Sequence, residues 1–162
     1  VVVVSAGNDY MNADGNASLF KVPADLENVI AISATAPYDW ISYQNGSLDI
    51  PASYTNYGKS LVALAAPGGD FDAPEPNYNY DMILSSGAGG PTSYPFYFSA
   101  GTSMASPHVA GVAALIIGKN GGQMDPHEVI KQLFRTADKI DGQGTSAYFG
   151  NGRVNAYRAV TE

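Results

Sequence analysis

Two short stretches of this 162-residue chain carry residue types that do chemistry only in particular surroundings. The first, Gly101-Thr102-Ser103-Met104-Ala105-Ser106-Pro107-His108-Val109-Ala110-Gly111, sets a serine between a glycine and the first turn of an apolar helix. A helix N-terminus has unpaired N–H groups and a partial positive charge, so negative charge developing there is stabilised. The second, Ser5-Ala6-Gly7-Asn8, sets a carboxamide just past a run of four valines. At the carboxyl edge of a parallel sheet, where α/β ligand sites gather, that group is a fixed dipole. Together they suit acyl transfer from an amide or ester, which needs a nucleophile, a base and donors aimed at the oxyanion. Ser103 is the candidate nucleophile, its own N–H a first oxyanion donor and Asn8 a second. Taken singly, Ser103 also reads as a helix N-cap and Asn8 as an Asx-turn residue.

The base is harder to find. His108 lies five residues from Ser103, and at about 100° per residue the two side chains point roughly 140° apart on one helix. His127 falls at the start of a second helix and reads as a solvated or helix-associated side chain. Neither histidine is placed to take the serine proton.

The elements that must position these residues follow from the pattern. Val1–Val4 reads as a fully buried parallel strand, Glu27–Thr35 as a second, Leu61–Ala65 as a third, and Asp81–Ser85 as a short fourth. Residues 37–58 are mixed, with turns at Asn45-Gly46 and Asn56-Tyr57-Gly58. Residues 69–93 form a long Gly/Pro/Asn/Tyr loop, read as an insertion that shapes a substrate cleft or an exosite, and Tyr94–Ser99 leads from it into the serine motif. Ser103–Gly118 is a helix apolar nearly all round, as expected of one buried mid-domain. A second helix starts at Asp125 as N-cap with Pro126 first and Glu128 completing a capping box; its core face is Val129, Ile130, Leu133, Phe134 and Ala137. Gly150–Ala156 turns into a short closing helix, Ala156–Val160. Alternating strands and helices imply an α/β domain with a parallel sheet.

Composition bounds the rest. With 45% hydrophobic and 14% charged residues the chain is globular. A net charge of −7, with no basic run, argues against nucleic acid or an anionic membrane as partner. The absence of cysteine excludes disulfides and thiolate metal sites. The longest apolar stretch, Val109–Ile117, is too short for a membrane span. Opening directly on Val1-Val2-Val3-Val4, the chain is expected to be a piece of a larger domain. The acidic residues Asp70, Asp72, Glu75 and Asp81 read as a solvated loop rather than a calcium site, since they lack EF-hand spacing; Asp9 and Asp14, near Asn12 and Asn16, are ambiguous.

The serine motif resembles that of subtilisin-like serine proteases at every position, and Ala66-Pro67-Gly68 and Gly152-Arg153-Val154-Asn155-Ala156 resemble further patterns of that family. The resemblance implies a three-layer α/β fold with a parallel central sheet, present here as its C-terminal half, and a secreted serine endopeptidase. It implies Ser103 as nucleophile and Asn8 in the oxyanion hole. It further implies that Ser5, Ala6 and Gly7 form a wall of the substrate pocket, with Thr102 beside it, and that Lys21-Val22-Pro23-Ala24 lies near the pocket floor, where a lysine would favour an acidic side chain. No cofactor is needed for the chemistry, although many members use structural calcium. The family's catalytic aspartate and histidine come from Asp-Ser/Thr-Gly and His-Gly-Thr-His-like segments N-terminal to the asparagine. Neither occurs in these residues, so the expected partners are a peptide or protein substrate and the N-terminal half of the same domain; alone, the chain is expected to be inactive and poorly soluble. Two alternatives stand beside this reading. One is a non-enzymatic pseudo-protease or structural half-domain. The other is an α/β-hydrolase esterase, which would need an acid (Asp125, Asp138 or Asp141) and then a histidine after the serine.

Overall fold

The computed structural model describes residues 1–15, 21–87, 95–142 and 144–162. Asn16, Tyr94 and the 88–93 end of the long loop lie outside the described residues. The centre is strand β2 (Val29–Ala36), paired in parallel with β1 (Val2–Ser5) on one side and with β4 (Val62–Pro67) on the other. A two-residue antiparallel strand, β3 (Ile50–Pro51), takes up β2 beyond the end of β1. A separate antiparallel hairpin joins β5 (Ile83–Ser86) to β6 (Phe96–Ser99), following a 3-10 turn at Asn77–Asp81.

The sequence of β2 explains its place. Ile30, Ile32 and Ala34 point to one face and join Leu64 and Ala66 of β4 in the main core. The alternate residues Ala31, Ser33 and Thr35 are small and buried beneath loops on the other face. Helix α1 (Thr102–Lys119) packs on the first face through Ala105, Val109, Val112, Ala113 and Ile116, the spacing of one helical stripe. Each of the large fully buried side chains, among them Ile32, Leu64, Ile116 and Leu133, stabilises the fold by about 1.5–3 kcal/mol. Helices α2 (Pro126–Thr136) and α3 (Ala156–Thr161) pack against α1. Asp125 caps α2 by accepting from the His127 N–H at 2.8 Å. Glu128 pairs with Lys131 one turn on, so the second half of the expected capping box is not formed.

Two expectations of complete burial are corrected. Val1 and Val2 are exposed, because β1 is paired on one side only among the described residues. The outer face of α1, carrying Ala110, Gly111, Ala114 and Leu115, is also exposed, since all its packing partners lie on the opposite side. The acidic loop residues are corrected in the other direction. Asp81 is buried and accepts from the Asp39 and Trp40 N–H groups at 2.6 and 2.8 Å. Asp70 is buried too, accepting from the Ser53 N–H and Oγ–H and the Phe71 N–H. Backbone amides, with the Ser53 hydroxyl at Asp70, hold both carboxylates. Among the described residues no group of three or more His, Asp or Glu could hold a metal ion.

The closing segment is fixed by charge. Arg153 Nη1 donates to both carboxylate oxygens of Asp49 at 2.8 and 2.7 Å, and Nη2 donates to Asp138 at 2.7 Å. Arg158 and Asn155 also donate to Asp138. Partial burial pushes the Asp138 carboxyl up, but the hydrogen bonds from Arg153, Asn155 and Arg158 outweigh it, and the net direction is below the ordinary 3.8. A depressed carboxyl contributes stability above its unfolded pKa and loses it as pH falls through the folded one. Arg153→Met is thus expected to destabilise the fold by about 1–3 kcal/mol at neutral pH. Urea midpoints measured against pH check this: the difference between parent and variant shrinks as pH drops below 3.8.

Candidate active site

Ser103 is the second residue of α1, and three features of the local chain put its oxygen in the open. Gly101 has a φ of 153° that lets the chain leave β6 and enter the helix abruptly. Thr102 turns inward and is fully buried, so Ser103 faces out. Pro107 lacks an N–H, which frees only the Ser103 carbonyl four residues back, and the helix runs on through it.

Asn8 reaches this turn from the end of β1, 94 residues away in sequence. Its Oδ1 accepts from the Thr102 N–H at 3.0 Å and from the Thr102 hydroxyl at 2.7 Å. The same hydroxyl accepts from the Gly7 N–H at 3.1 Å. Because Oδ1 must face Thr102, Nδ2 must face away from it. A methyl built on Gly101 would stand 3.5 Å from Asn8 Nδ2 and 3.6 Å from Met104 Sδ, which places both at the mouth beside the serine. Among the described residues, neither Asn8 Nδ2 nor the Ser103 N–H donates to any acceptor. Two unengaged donors thus flank one exposed hydroxyl, as an acyl-transfer site requires.

The structure brings Ser103, Asn8, Gly7 and Thr102 together. Thr102 and Ala6 are buried and can meet a substrate only through their neighbours; Ser5 is half-buried. His108 is on α1 as expected, its Nδ1–H donating to the Met104 carbonyl at 2.8 Å. His127 lies exposed at the start of α2. On one flank of Ser103 a cleft of about 330 Å³ opens between the β5–β6 hairpin and α1, lined by Leu84, Tyr97, Met104 and Pro107.

Asn56 is a site residue that the sequence does not disclose. It is fully buried, accepts from the Asp9 and Met11 N–H groups at 2.9 and 3.0 Å, and donates to the Ala6 carbonyl at 2.9 Å. It therefore clamps the backbone on both sides of Asn8. Gly7 fits this clamp because its φ is +101° and a Cβ there would meet Asn56 Nδ2 at 2.4 Å.

Residues 1–152 match the model of the Subtilase family, the S8 peptidases. The chain is 40% identical over 161 residues to a thermophilic serine proteinase of Bacillus sp. strain AK1, covering 99% of this chain and 31% of that protein. It is 38% identical to an extracellular protease of Xanthomonas campestris, again over 99% of this chain but 23% of that one. The chain thus spans a third or less of the length of these two relatives. Among solved structures, a protease from Pseudoalteromonas arctica superposes with a TM-score of 0.73 at 34% identity, over 99% of this chain and 42% of its own. The esterase alternative falls with these findings; one of its candidate acids, Asp138, is held by Arg153. The fold is that of part of a subtilisin-like protease, and the chain belongs to the subtilase family of serine proteases.

Proposed function

We propose that this chain carries the nucleophile and both oxyanion donors of a serine endopeptidase. The supporting observation is the Asn8–Thr102 pair, which fixes the carboxamide oxygen and leaves Asn8 Nδ2 and the Ser103 N–H free on the same side. In the acylation step Ser103 Oγ attacks the substrate carbonyl carbon and gives its proton to a base. The carbonyl oxygen becomes the oxyanion and receives the two N–H donors. Collapse breaks the C–N bond, the protonated base returns its proton to the leaving amine, and water later releases the acyl group from Ser103. Ser5, Ala6 and Gly7 form the backbone wall beside the acyl side of the substrate.

Neither histidine is placed to be that base, so the base and its orienting carboxylate come from a segment outside these 162 residues, the N-terminal half of the same domain. The exposed β1 edge and the outer face of α1 are where such a segment would pack. The same surfaces favour the second reading, a structural half-domain, if that segment lacks its aspartate and histidine. The protein acts outside the cell, as the name of the Xanthomonas relative indicates for that protein. Among the described residues no helix is long and apolar enough to cross a membrane.

A fluorophosphonate probe tests the proposal. In the polypeptide joining this chain to its base, Ser103 is labelled and peptide esters are cleaved. In Val1–Glu162 alone, labelling and turnover fall to background. Turnover by the isolated chain at the rate of a whole protease would refute the division of labour.

Met104 gives a second check. Its sulfur lies at the mouth beside Asn8 Nδ2, and sulfoxide formation would add a polar oxygen where the oxyanion must sit. Peroxide is expected to lower kcat by about tenfold, or about 1.4 kcal/mol on the barrier, with Met104→Leu resistant. Oxidation without loss of rate would leave Met104 a packing residue.

A further inference from the structure

The β5–β6 hairpin turns unlike faces to its two sides. Leu84 stands opposite Phe98 and Ser86 opposite Phe96, and residues so paired share a face. The intervening Ile83, Ser85, Tyr97 and Ser99 share the other face, and all four line the cleft that holds Ser103. The outer face therefore carries Leu84, Phe96 and Phe98, which are 56%, 75% and 45% exposed. Single exposed apolar side chains are ordinary on a protein surface, but three on one face of so short a hairpin are not. Leu84 also lines the cleft, so the apolar face is continuous with the candidate reacting site.

Charge and backbone narrow what covers this face. No Asp, Glu, Lys or Arg occurs between Asp81 and Lys119, although 14% of the chain is charged. A charged partner would lose its water there and meet no counter-charge from this segment. Among the described residues β5 and β6 pair only with each other, so each keeps an outer row of backbone N–H and C=O groups. Hydrocarbon offers such groups nothing, whereas an extended peptide offers them partners.

Resting on the reading of Ser103 as the nucleophile, we propose that the outer face of this hairpin is an exosite. It takes an uncharged, aromatic or branched apolar segment of a polypeptide substrate, on the leaving-group side of the cleaved bond. Ser5, Ala6 and Gly7, the backbone wall of the acyl side, do not line the cleft, which leaves it to the other half of the substrate. Phe96 lies roughly 10 Å along β6 from Ser99, and an extended substrate has the same rise of about 3.3 Å per residue. The segment that meets the two rings is thus roughly the third to fifth residues after the cleaved bond. Such contacts do not touch the reacting carbonyl, so they act on KM and leave kcat alone.

The test uses the polypeptide joining this chain to its catalytic base and two quenched fluorescent peptides, alike through the second residue after the cleaved bond. The next three residues are Phe-Val-Phe in one and Ser-Asn-Ser in the other, and mass spectrometry identifies the bond cut. In the parent the first peptide has a kcat/KM about tenfold higher, the difference lying in KM. Phe96→Ser combined with Phe98→Ser brings the ratio to about one, whereas Phe96→Tyr keeps it well above one. Tyr157→Ser, at a side chain on α3 as exposed as Phe96, leaves the ratio where it was. A parent ratio of one overturns the proposal, and so does a ratio that the double variant does not change. With a ratio of one, sedimentation on phosphatidylcholine vesicles that the double variant loses would give the face to lipid. A dimer that the same variant dissolves would instead make it a contact between copies. No cleavage of either peptide, with Ser103 unlabelled by a fluorophosphonate, refutes the catalytic reading beneath.

Discussion

Ser103→Ala is expected to abolish peptide hydrolysis in the polypeptide that joins this chain to its base, with kcat falling about 10⁶-fold, the size of loss seen when a subtilisin loses its nucleophile. The substitution removes one exposed oxygen and disturbs nothing else, because among the described residues the Ser103 hydroxyl has no hydrogen-bond partner. Substrate binding should survive, so KM and the affinity for a peptide inhibitor stay near the parent values. The thermal midpoint should also stay within a degree or two, since the change is on the surface. Single-turnover kinetics with an ester substrate gives the check: no burst of the leaving group in the variant. Retention of more than a hundredth of the parent rate would mean that another group attacks the carbonyl.

The second large effect is at Asn8, where two functions of one carboxamide can be separated. Asn8→Asp keeps an oxygen for the Thr102 N–H and hydroxyl but replaces the Nδ2 donor with a second oxygen. It should fold as the parent does and lose at least 10²–10³ in kcat, the range known for removing a subtilisin's oxyanion asparagine. Repulsion between the new carboxylate and the oxyanion deepens the loss. Asn8→Ala removes both roles, leaving the helix-start N–H of Thr102 without its acceptor, and should cost about 1–3 kcal/mol of stability in addition. A KM-against-kcat split for Asn8→Asp, measured beside its melting curve, decides the matter. A variant that loses binding but keeps kcat would make Asn8 a pocket residue rather than an oxyanion donor.

How far these residues could be read from the chain differs by physical cause. Helix α1 and the sheet strands β1, β2 and β4 were legible as elements, because apolar runs between turn residues mark them; which face of α1 is buried was not, since the helix is apolar nearly all round. The serine turn and the strand-end asparagine were legible because an unusual residue sits at a position set by those elements. Asn56 was not. In Asn-Tyr-Gly it looks like a turn residue, and only the loop arriving from residues 6–11 makes it a buried clamp. Thr102 likewise reads as a neighbour of the nucleophile, and its contacts lie at positions 7 and 8. Asp70 and Asp81 read as solvated loop charges because nothing local shows that distant backbone amides converge on them. β3 and β6 escaped for another reason: one is two residues long, and the other is an exposed aromatic strand behind Pro95 with no buried face to set a period.

The 94-residue separation of Asn8 from Thr102 has a consequence for the order in which the site assembles. Loops of that span close late, since the chain entropy lost must be met by contacts not yet made. The contact that fixes the Asn8 carboxamide beside Ser103 is therefore among the last to form, and the arrangement proposed for catalysis is complete only once the strands and α1 have docked.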